Sequence, residues 1–154
     1  MRRLLRVTGL PQLVAFYRYI YLNQPRLTAA AGSALALAFA AIHLYELPAH
    51  YEASPAWGVL FGVLAAGGLV ATAGIPAGGR PWGWELGAAL CLLALAGYLA
   101  SRAVGLPGLE EFRGRWDYPL GTLAMIVEGL FLLGYLFVRT GLAVAYPERR
   151  DWHD

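Results

Sequence analysis

Two histidines and two acidic residues lie within ten residues of one another in the segment HLYELPAHYE. They are His43, Glu46, His50 and Glu52. Imidazole nitrogens and carboxylate oxygens are common ligands of divalent transition metals. Pro48 lies between the two pairs, and a proline is expected to prevent one continuous helix from fixing all four side chains. The segment therefore predicts either a metal site or a hydrogen-bonded helix end followed by solvated loop residues.

Glu128 lies in the middle of the apolar stretch GTLAMIVEGLFLL. It follows Pro119, a favourable first-turn residue, by a distance of ~13 Å along a helix. A carboxyl group this deep in hydrocarbon must be neutral or paired, because an isolated charge there is costly. Glu128 therefore indicates proton handling, a ligand site or a partner contact, or else a neutral acid that is hydrogen-bonded inside a helix bundle.

Arg102 lies in the segment SRAVGLP, just before a glycine and a proline that end a helix. One interpretation is an ion pair in a loop with a nearby acidic residue, which would be Glu110, Glu111 or Asp117. The other is that the guanidinium reaches inward towards Glu128, although the two backbone levels differ by roughly 10 Å.

His43, Arg102 and Glu128 lie on three different apolar stretches, in the half of each stretch that is nearer the same membrane face. We expect them to line one polar pocket that binds a cofactor or another small ligand, with His50 near its mouth. The cofactor itself stays open: His43 is able to ligate either a metal ion or the iron of a haem.

The composition determines which kind of element positions these residues. Hydrophobic residues make up 58% of the 154 residues and charged residues only 14%, whereas a soluble domain carries about 25% charged residues. The chain is therefore an integral membrane protein. A net charge of +2 gives no reason to expect a nucleic-acid partner, and a single cysteine excludes a disulfide framework.

Four apolar stretches are long enough to cross a membrane, which takes roughly 20 helical residues. They run approximately over residues 27–47, 56–75, 84–104 and 119–138. We predict an all-α integral membrane protein, an antiparallel four-helix bundle over residues 27–146. A cytoplasmic segment over residues 1–26, with an amphipathic helix, precedes the bundle, and a cytoplasmic tail over residues 147–154 follows it.

The distribution of arginine predicts the orientation. All 12 basic residues are arginine, which is typical of a GC-rich bacterial genome. Nine of them fall on the side of the two termini: Arg2, Arg3, Arg6, Arg18, Arg26, Arg80, Arg139, Arg149 and Arg150. Three fall on the other side: Arg102, Arg113 and Arg115. Loops on the cytoplasmic side of a membrane are enriched in arginine. We therefore expect a bacterial inner-membrane protein with both termini on the cytoplasmic side. Two loops, YELPAHYEASPAW and SRAVGLPGLEEFRGRWDYP, should then face outward.

The combination of HL…ELPAHYE, SRAVGLP, Asp117 and Glu128 resembles a loose group of four-span membrane proteins of actinobacteria and similar high-GC bacteria. The resemblance covers roughly residues 40–130, and SRxxGLP is its most specific element. It implies the four-span architecture and the polar pocket. No reaction is attached to the group, so the resemblance implies none for this chain.

For the function, we expect a non-enzymatic accessory subunit of a larger membrane complex, respiratory or otherwise redox-active. The small size, the lack of a catalytic motif and the amphipathic start favour it, and its partners would be the lipid bilayer and other membrane subunits. The alternative is an outward-facing protein that binds or transports a transition metal, haem or another small ligand. An enzyme acting on lipid is a third class, less favoured than either.

Overall fold

The computed structural model describes residues 24–77 and 81–145. These residues form four long helices, which are α1 (Pro25–Ala53), α2 (Pro55–Gly74), α3 (Trp82–Ala103) and α4 (Pro119–Arg139), and a short 3-10 helix (Glu110–Phe112). All four long helices have the length and the apolar composition needed to cross a membrane. The chain is therefore an all-α, multi-pass membrane protein, as predicted. The predicted amphipathic helix and the cytoplasmic tail lie outside the described residues.

The four helices form an antiparallel ring. Helices α1 and α2 share the most extensive contact, α3 packs on α2, and α4 closes the ring between α3 and α1. We call the end of the bundle that holds Ser54 and the 104–118 connection the loop end. The opposite end, where α1 begins and α4 finishes, is the terminal end. The bundle thus divides into a loop half and a terminal half.

Helix α1 continues through Pro48 and ends at Ala53, rather than near residue 47 as predicted. Pro48 lacks an N–H group, but membrane helices tolerate proline where a neighbouring helix supports the backbone. That support comes from α2, where a Cβ on Gly58 would lie only 2.4 Å from the Cβ of Tyr51. The prediction that YELPAHYEASPAW forms a loop is therefore wrong: the segment is helix, interrupted by Ser54 alone.

The terminal half is closely packed because glycines face large aromatic rings. A Cβ on Gly32 of α1 would lie 2.4 Å from the ring of Trp84, and one on Gly87 of α3 would lie 2.3 Å from the ring of Phe131. Small residues let helix backbones approach closely where lipid supplies no hydrophobic drive. Trp84 and Phe131 are consequently almost fully buried and form part of one continuous apolar core.

The 104–118 connection folds over the loop end. Its three glycines, at positions 105, 108 and 114, have φ of 77°, 78° and 77°, a region that glycine enters without steric cost. The indole N–H of Trp57 in α2 donates to the carbonyl oxygen of Pro107 at 2.7 Å, and Leu109 of the connection is buried. This connection, unlike the turn at Ser54, is a true loop, and it covers the inner faces of the helix ends.

Candidate functional site

A cavity of about 90 Å³ lies between the four helices at the loop end. His43, Arg102 and Glu128 all line it, so the structure brings together the three residues that the sequence places in one pocket. The other polar side chains in its lining are Glu46, His50, Trp57, Tyr98, Ser101 and Tyr118. Helix α2 contributes Trp57 and otherwise an apolar wall, and the remaining polar groups come from the other three helices and the 104–118 connection.

His43 and Glu128 form the innermost polar pair. Nε2 of His43 lies 4.0 Å from Oε1 of Glu128. Nδ1 of the same imidazole lies 2.9 Å from the carbonyl oxygen of Phe39. A carbonyl oxygen only accepts hydrogen bonds, so Nδ1 carries a proton and donates it. When the ring is neutral, its lone pair is therefore on Nε2, the nitrogen nearer Glu128.

Glu46 is held by a residue that is distant in sequence. The hydroxyl of Tyr118 lies 2.8 Å from both Oε1 and Oε2 of Glu46 and donates to the carboxylate. Burial, together with this hydrogen bond, raises the pKa of Tyr118 to about 12. The contact ties the last turns of α1 to the start of α4, and it fixes the position of Glu46 at the cavity.

His50 lies one turn beyond Glu46. Its Nδ1 donates to the carbonyl oxygen of Glu46 at 2.9 Å and lies 3.9 Å from Oε2 of the same residue. Its ring stacks on Phe61 of α2, with 3.8 Å between the ring centroids. His50 and His43 thus share one feature: Nδ1 donates to the backbone carbonyl four residues earlier, so Nε2 carries the lone pair of the neutral ring.

Arg102 is buried between two aromatic rings. Its guanidinium carbon lies 4.5 Å from the ring centroid of Tyr98 and 4.7 Å from that of Phe112, and Nη1 donates to the hydroxyl of Ser101 at 3.0 Å. Within residues 24–77 and 81–145, no carboxylate lies within 4.0 Å of it. The predicted loop ion pair is therefore wrong. The guanidinium lies inward, at the cavity that Glu128 also lines, but it forms no ion pair with that residue. Cation–π contacts take the place of an ion pair, and these strengthen where water is excluded.

Three polar atoms at the cavity have no hydrogen-bond partner in the described part of the chain. They are the hydroxyl oxygen of Tyr98, Nε of Arg102 and Oε2 of Glu128. A buried polar group without a partner costs ~1–3 kcal/mol. Because one water molecule needs only ~10–15 Å³ of such space, the cavity has room for several small hydrogen-bonding molecules that would satisfy these atoms.

The geometry gives the metal and haem hypotheses no support. Among the described residues, no group of three or more His, Cys, Asp or Glu side chains is placed to hold a metal ion. Of the predicted set, Glu52 is exposed on the last turn of α1, away from the cavity lining, and the two histidines lie two turns apart. The cavity is also smaller than the ~300 Å³ of an ordinary small-molecule pocket, so it has no room for a haem.

Sequence reasoning missed Tyr98, Ser101 and Tyr118. The first two had a signal, since Tyr98, Ser101 and Arg102 are spaced along one face of a helix. Tyr118 had none, because it meets Glu46 across 72 residues of sequence.

Comparison with known proteins gives no relative whose function could be transferred to this chain. No protein-family model matches the chain, and neither a curated protein nor a solved structure matches it. The resemblance to four-span bacterial membrane proteins stays a prediction. The function is therefore inferred from the geometry of the cavity.

Proposed function

We propose that this chain is a small integral membrane protein that binds a small polar molecule in the cavity at the loop end. The observation that carries the proposal is the convergence of three unpartnered buried polar atoms, on Tyr98, Arg102 and Glu128, around one cavity. Each such atom gains a hydrogen bond when a suitable molecule enters, and pockets with apolar walls and a few convergent polar groups are typical of binding sites.

The polar groups limit the chemistry of the molecule. The N–H of Arg102 requires a hydrogen-bond acceptor, and the hydroxyl of Tyr98 takes either role. The apolar wall from α2, with Leu60, Phe61 and Leu64, favours a compact molecule with one apolar face. The size of the cavity restricts it to a few non-hydrogen atoms.

Gly97 provides a direct test of binding. It lines the cavity, and no atom lies within 4 Å of the position that a Cβ would occupy. The Cβ of Gly97→Leu should therefore enter open space, and the rest of the side chain should occupy the cavity. Gly129→Leu is the matched control, because Gly129 also has no atom within 4 Å of its Cβ position but lies on the exposed face of α4.

The measurement is mass spectrometry of small molecules that remain with the purified protein after extraction from native membranes in mild detergent. We expect the wild type and Gly129→Leu to retain one compound at about one per chain, and Gly97→Leu to lose it. Retention of the same compound by Gly97→Leu, or no compound on the wild type, would contradict the proposal.

We also propose that both termini lie in the cytoplasm of a bacterial inner membrane, with the cavity nearer the outer face. The distribution of arginine supports this. The structure strengthens the asymmetry, because Arg102 is buried, which leaves Arg113 and Arg115 as the exposed arginines of the loop end.

Two exposed positions at opposite ends test the orientation. Arg115→Cys, in the 104–118 connection, should react with a membrane-impermeant thiol reagent on intact cells, whereas Ala77→Cys, at the terminal end, should not. Cys91, the single native cysteine, is buried and gives a low background. Labelling of Ala77→Cys together with protection of Arg115→Cys would reverse the orientation.

A second candidate function is that of an accessory subunit in a larger membrane complex. The observation that favours it is the open space beside Gly129, which lies among the exposed side chains of Ile126, Leu130 and Leu133. A glycine on an outer helix face allows another helix to approach closely.

The same two variants separate the two functions. If this surface binds another subunit, Gly129→Leu should shift the protein from a larger complex to the isolated chain on a native gel. Gly97→Leu should then leave the complex intact. An identical, chain-sized band for all three proteins would rule out the accessory role.

A further inference from the structure

We propose that His50, Glu46 and His43 form a proton path from the loop end of the bundle to Glu128 in its interior. The path requires only water in the cavity. It is therefore independent of the proposed small-molecule ligand, and it adds an activity, reversible proton uptake, to the site.

The four side chains follow one another inward along a gradient of burial. The exposed fraction of the side chain falls from 14% for His50 to 10% for Glu46, 6% for His43 and 3% for Glu128. The first three lie on one face of α1, at spacings of three and four residues. All four line the same cavity, so the gradient describes one continuous route.

Both histidines present the nitrogen that accepts a proton. Each binds a backbone carbonyl one turn earlier through Nδ1, which leaves Nε2 as the basic atom. The 4.0 Å between Nε2 of His43 and Oε1 of Glu128 is too long for a direct hydrogen bond. The 3.9 Å between His50 and the Glu46 carboxylate is also too long, and it is measured from Nδ1, which is bound to the backbone. Intervening water bridges polar groups at such separations.

The charges at the cavity favour the uptake of one proton. When Glu46 and Glu128 are both ionised, their two negative charges exceed the one positive charge of Arg102, so a single additional proton makes the cavity neutral. The other titratable side chains around the cavity are Tyr98 on α3 and Tyr118 before α4 in its lining, and Cys91 on α3 near Glu128. Helix α2 places no ionisable side chain among the cavity-lining residues that the structure describes.

The path ends at Glu128. On the far side of that residue lies the apolar core of the terminal half, with Trp84, Phe131 and Ile75 almost fully buried. A proton taken from water at the loop end binds Nε2 of His50 and leaves from the same atom to water in the cavity, which passes it to the Glu46 carboxylate. Cavity water then carries it from Glu46 to Nε2 of His43, and that nitrogen releases it through water to the Glu128 carboxylate. The three carriers return to their starting states. The proton leaves by the same route, since the core closes the other end.

The test is infrared spectroscopy of the full chain in phosphatidylcholine vesicles. The C=O stretching band of a protonated carboxyl group reports the proton on Glu128, and its shift on transfer from H₂O to D₂O reports how fast that proton exchanges. Glu128→Gln identifies the band by removing it. Glu85→Gln is the control, because Glu85 is exposed at the terminal end of α3.

We expect a band that is present in the wild type and in Glu85→Gln, that changes with pH and that exchanges rapidly. His50→Phe, which preserves the stacking on Phe61, should slow the exchange by about tenfold or more, because a proton acceptor is lost. Glu46→Gln should slow it similarly, while its amide oxygen still accepts the hydrogen bond from Tyr118. Two independent variants guard against a folding defect in either one.

Exchange as fast in His50→Phe and Glu46→Gln as in the wild type would overturn the path, as would a band that does not respond to pH or to Glu128→Gln. These results are distinguishable from a failure of ligand binding. A wild type that retains no compound but exchanges rapidly contradicts only the ligand proposal. One that retains a compound while both variants exchange normally contradicts only the path.

Discussion

The terminal half of the bundle packs glycines against aromatic rings, whereas the loop half surrounds a cavity with ionisable side chains. Helix α3 runs through both and shows the difference directly. A Cβ on Gly87 would lie 2.3 Å from the ring of Phe131, but a Cβ on Gly97, ten residues later, would have no atom within 4 Å. One helix thus presents a filled surface at one end and an open one at the other.

This difference in packing between the two halves shows how a small bundle keeps polar groups inside a membrane. Close packing in the terminal half joins the helices mainly through apolar contacts, with a hydrogen bond from the hydroxyl of Ser33 to the carbonyl oxygen of Thr72 at 3.2 Å, so the loop half does not have to be filled with apolar side chains. Among the described residues, the buried charged and histidine side chains, His43, Glu46, Arg102 and Glu128, all lie on the side of the apolar core that the 104–118 connection covers. Four predictions test this division, in order of decreasing expected effect.

Gly83→Val should be the most damaging change, because it attacks the close packing of the terminal half. A Cβ at Gly83 would lie 2.5 Å from the backbone nitrogen of Ile75 and 2.6 Å from the carbonyl carbon of Gly74, and backbone atoms do not rotate away. We expect a loss of more than ~3 kcal/mol in the free energy of unfolding, measured by thermal unfolding in detergent. Gly129→Val, which meets open space, should unfold near the wild-type temperature, and equal stability of the two variants would refute the close packing.

Glu128→Leu tests whether the loop half depends on its polar groups. The substitution removes the carboxyl group that faces Nε2 of His43 and that water or a ligand in the cavity would bind. Each buried polar group that is left without a partner costs ~1–3 kcal/mol. Glu128→Gln keeps the shape and a polar head, so it should cost less. The midpoint of thermal unfolding of each variant provides the comparison. A leucine variant as stable as the wild type would mean that the cavity is dry and that the two halves do not differ in hydration.

Tyr118→Phe removes the hydrogen bond to Glu46 and should cost about 1 kcal/mol at neutral pH. The pKa of Tyr118 is raised from an ordinary value of 10 to about 12 in the folded protein. The stabilisation from the neutral phenol is therefore complete below pH 10 and is lost as the pH rises to 12. The unfolding temperature of the wild type should consequently fall more steeply over this range than that of Tyr118→Phe. Tyr51→Phe, a change at an exposed tyrosine, should leave the slope unchanged.

Gly97→Ala should have the smallest effect, and it should be favourable. The new methyl group enters open space, and alanine is better than glycine in a helix by up to about 1 kcal/mol. Gly87→Ala, the same substitution on the same helix, should destabilise, because Phe131 is fully buried and cannot move aside. Paired unfolding measurements check the opposite signs, and the same sign for both would remove the contrast between the halves.

The architecture was predictable from the sequence because a membrane constrains helices strongly. Hydrocarbon requires every backbone polar group to be bonded within its own segment, so a long apolar stretch has one solution. The same constraint made Glu128 and His43 conspicuous, since polar residues within such stretches are few. Their convergence with Arg102 followed from their depths along antiparallel helices, which the rise of a helix fixes without knowledge of the packing.

Contacts between distant segments were decided only by the tertiary structure. Whether Pro48 ends α1 depends on the support that α2 gives to the following turns, not on the proline itself. The hydrogen bond from Tyr118 to Glu46 and the position of Arg102 between two rings are contacts of particular side-chain atoms. Residue depth limits which groups are near one another, but the direction of a side chain follows from the neighbours that fill the space around it. No periodicity in a single sequence records those neighbours.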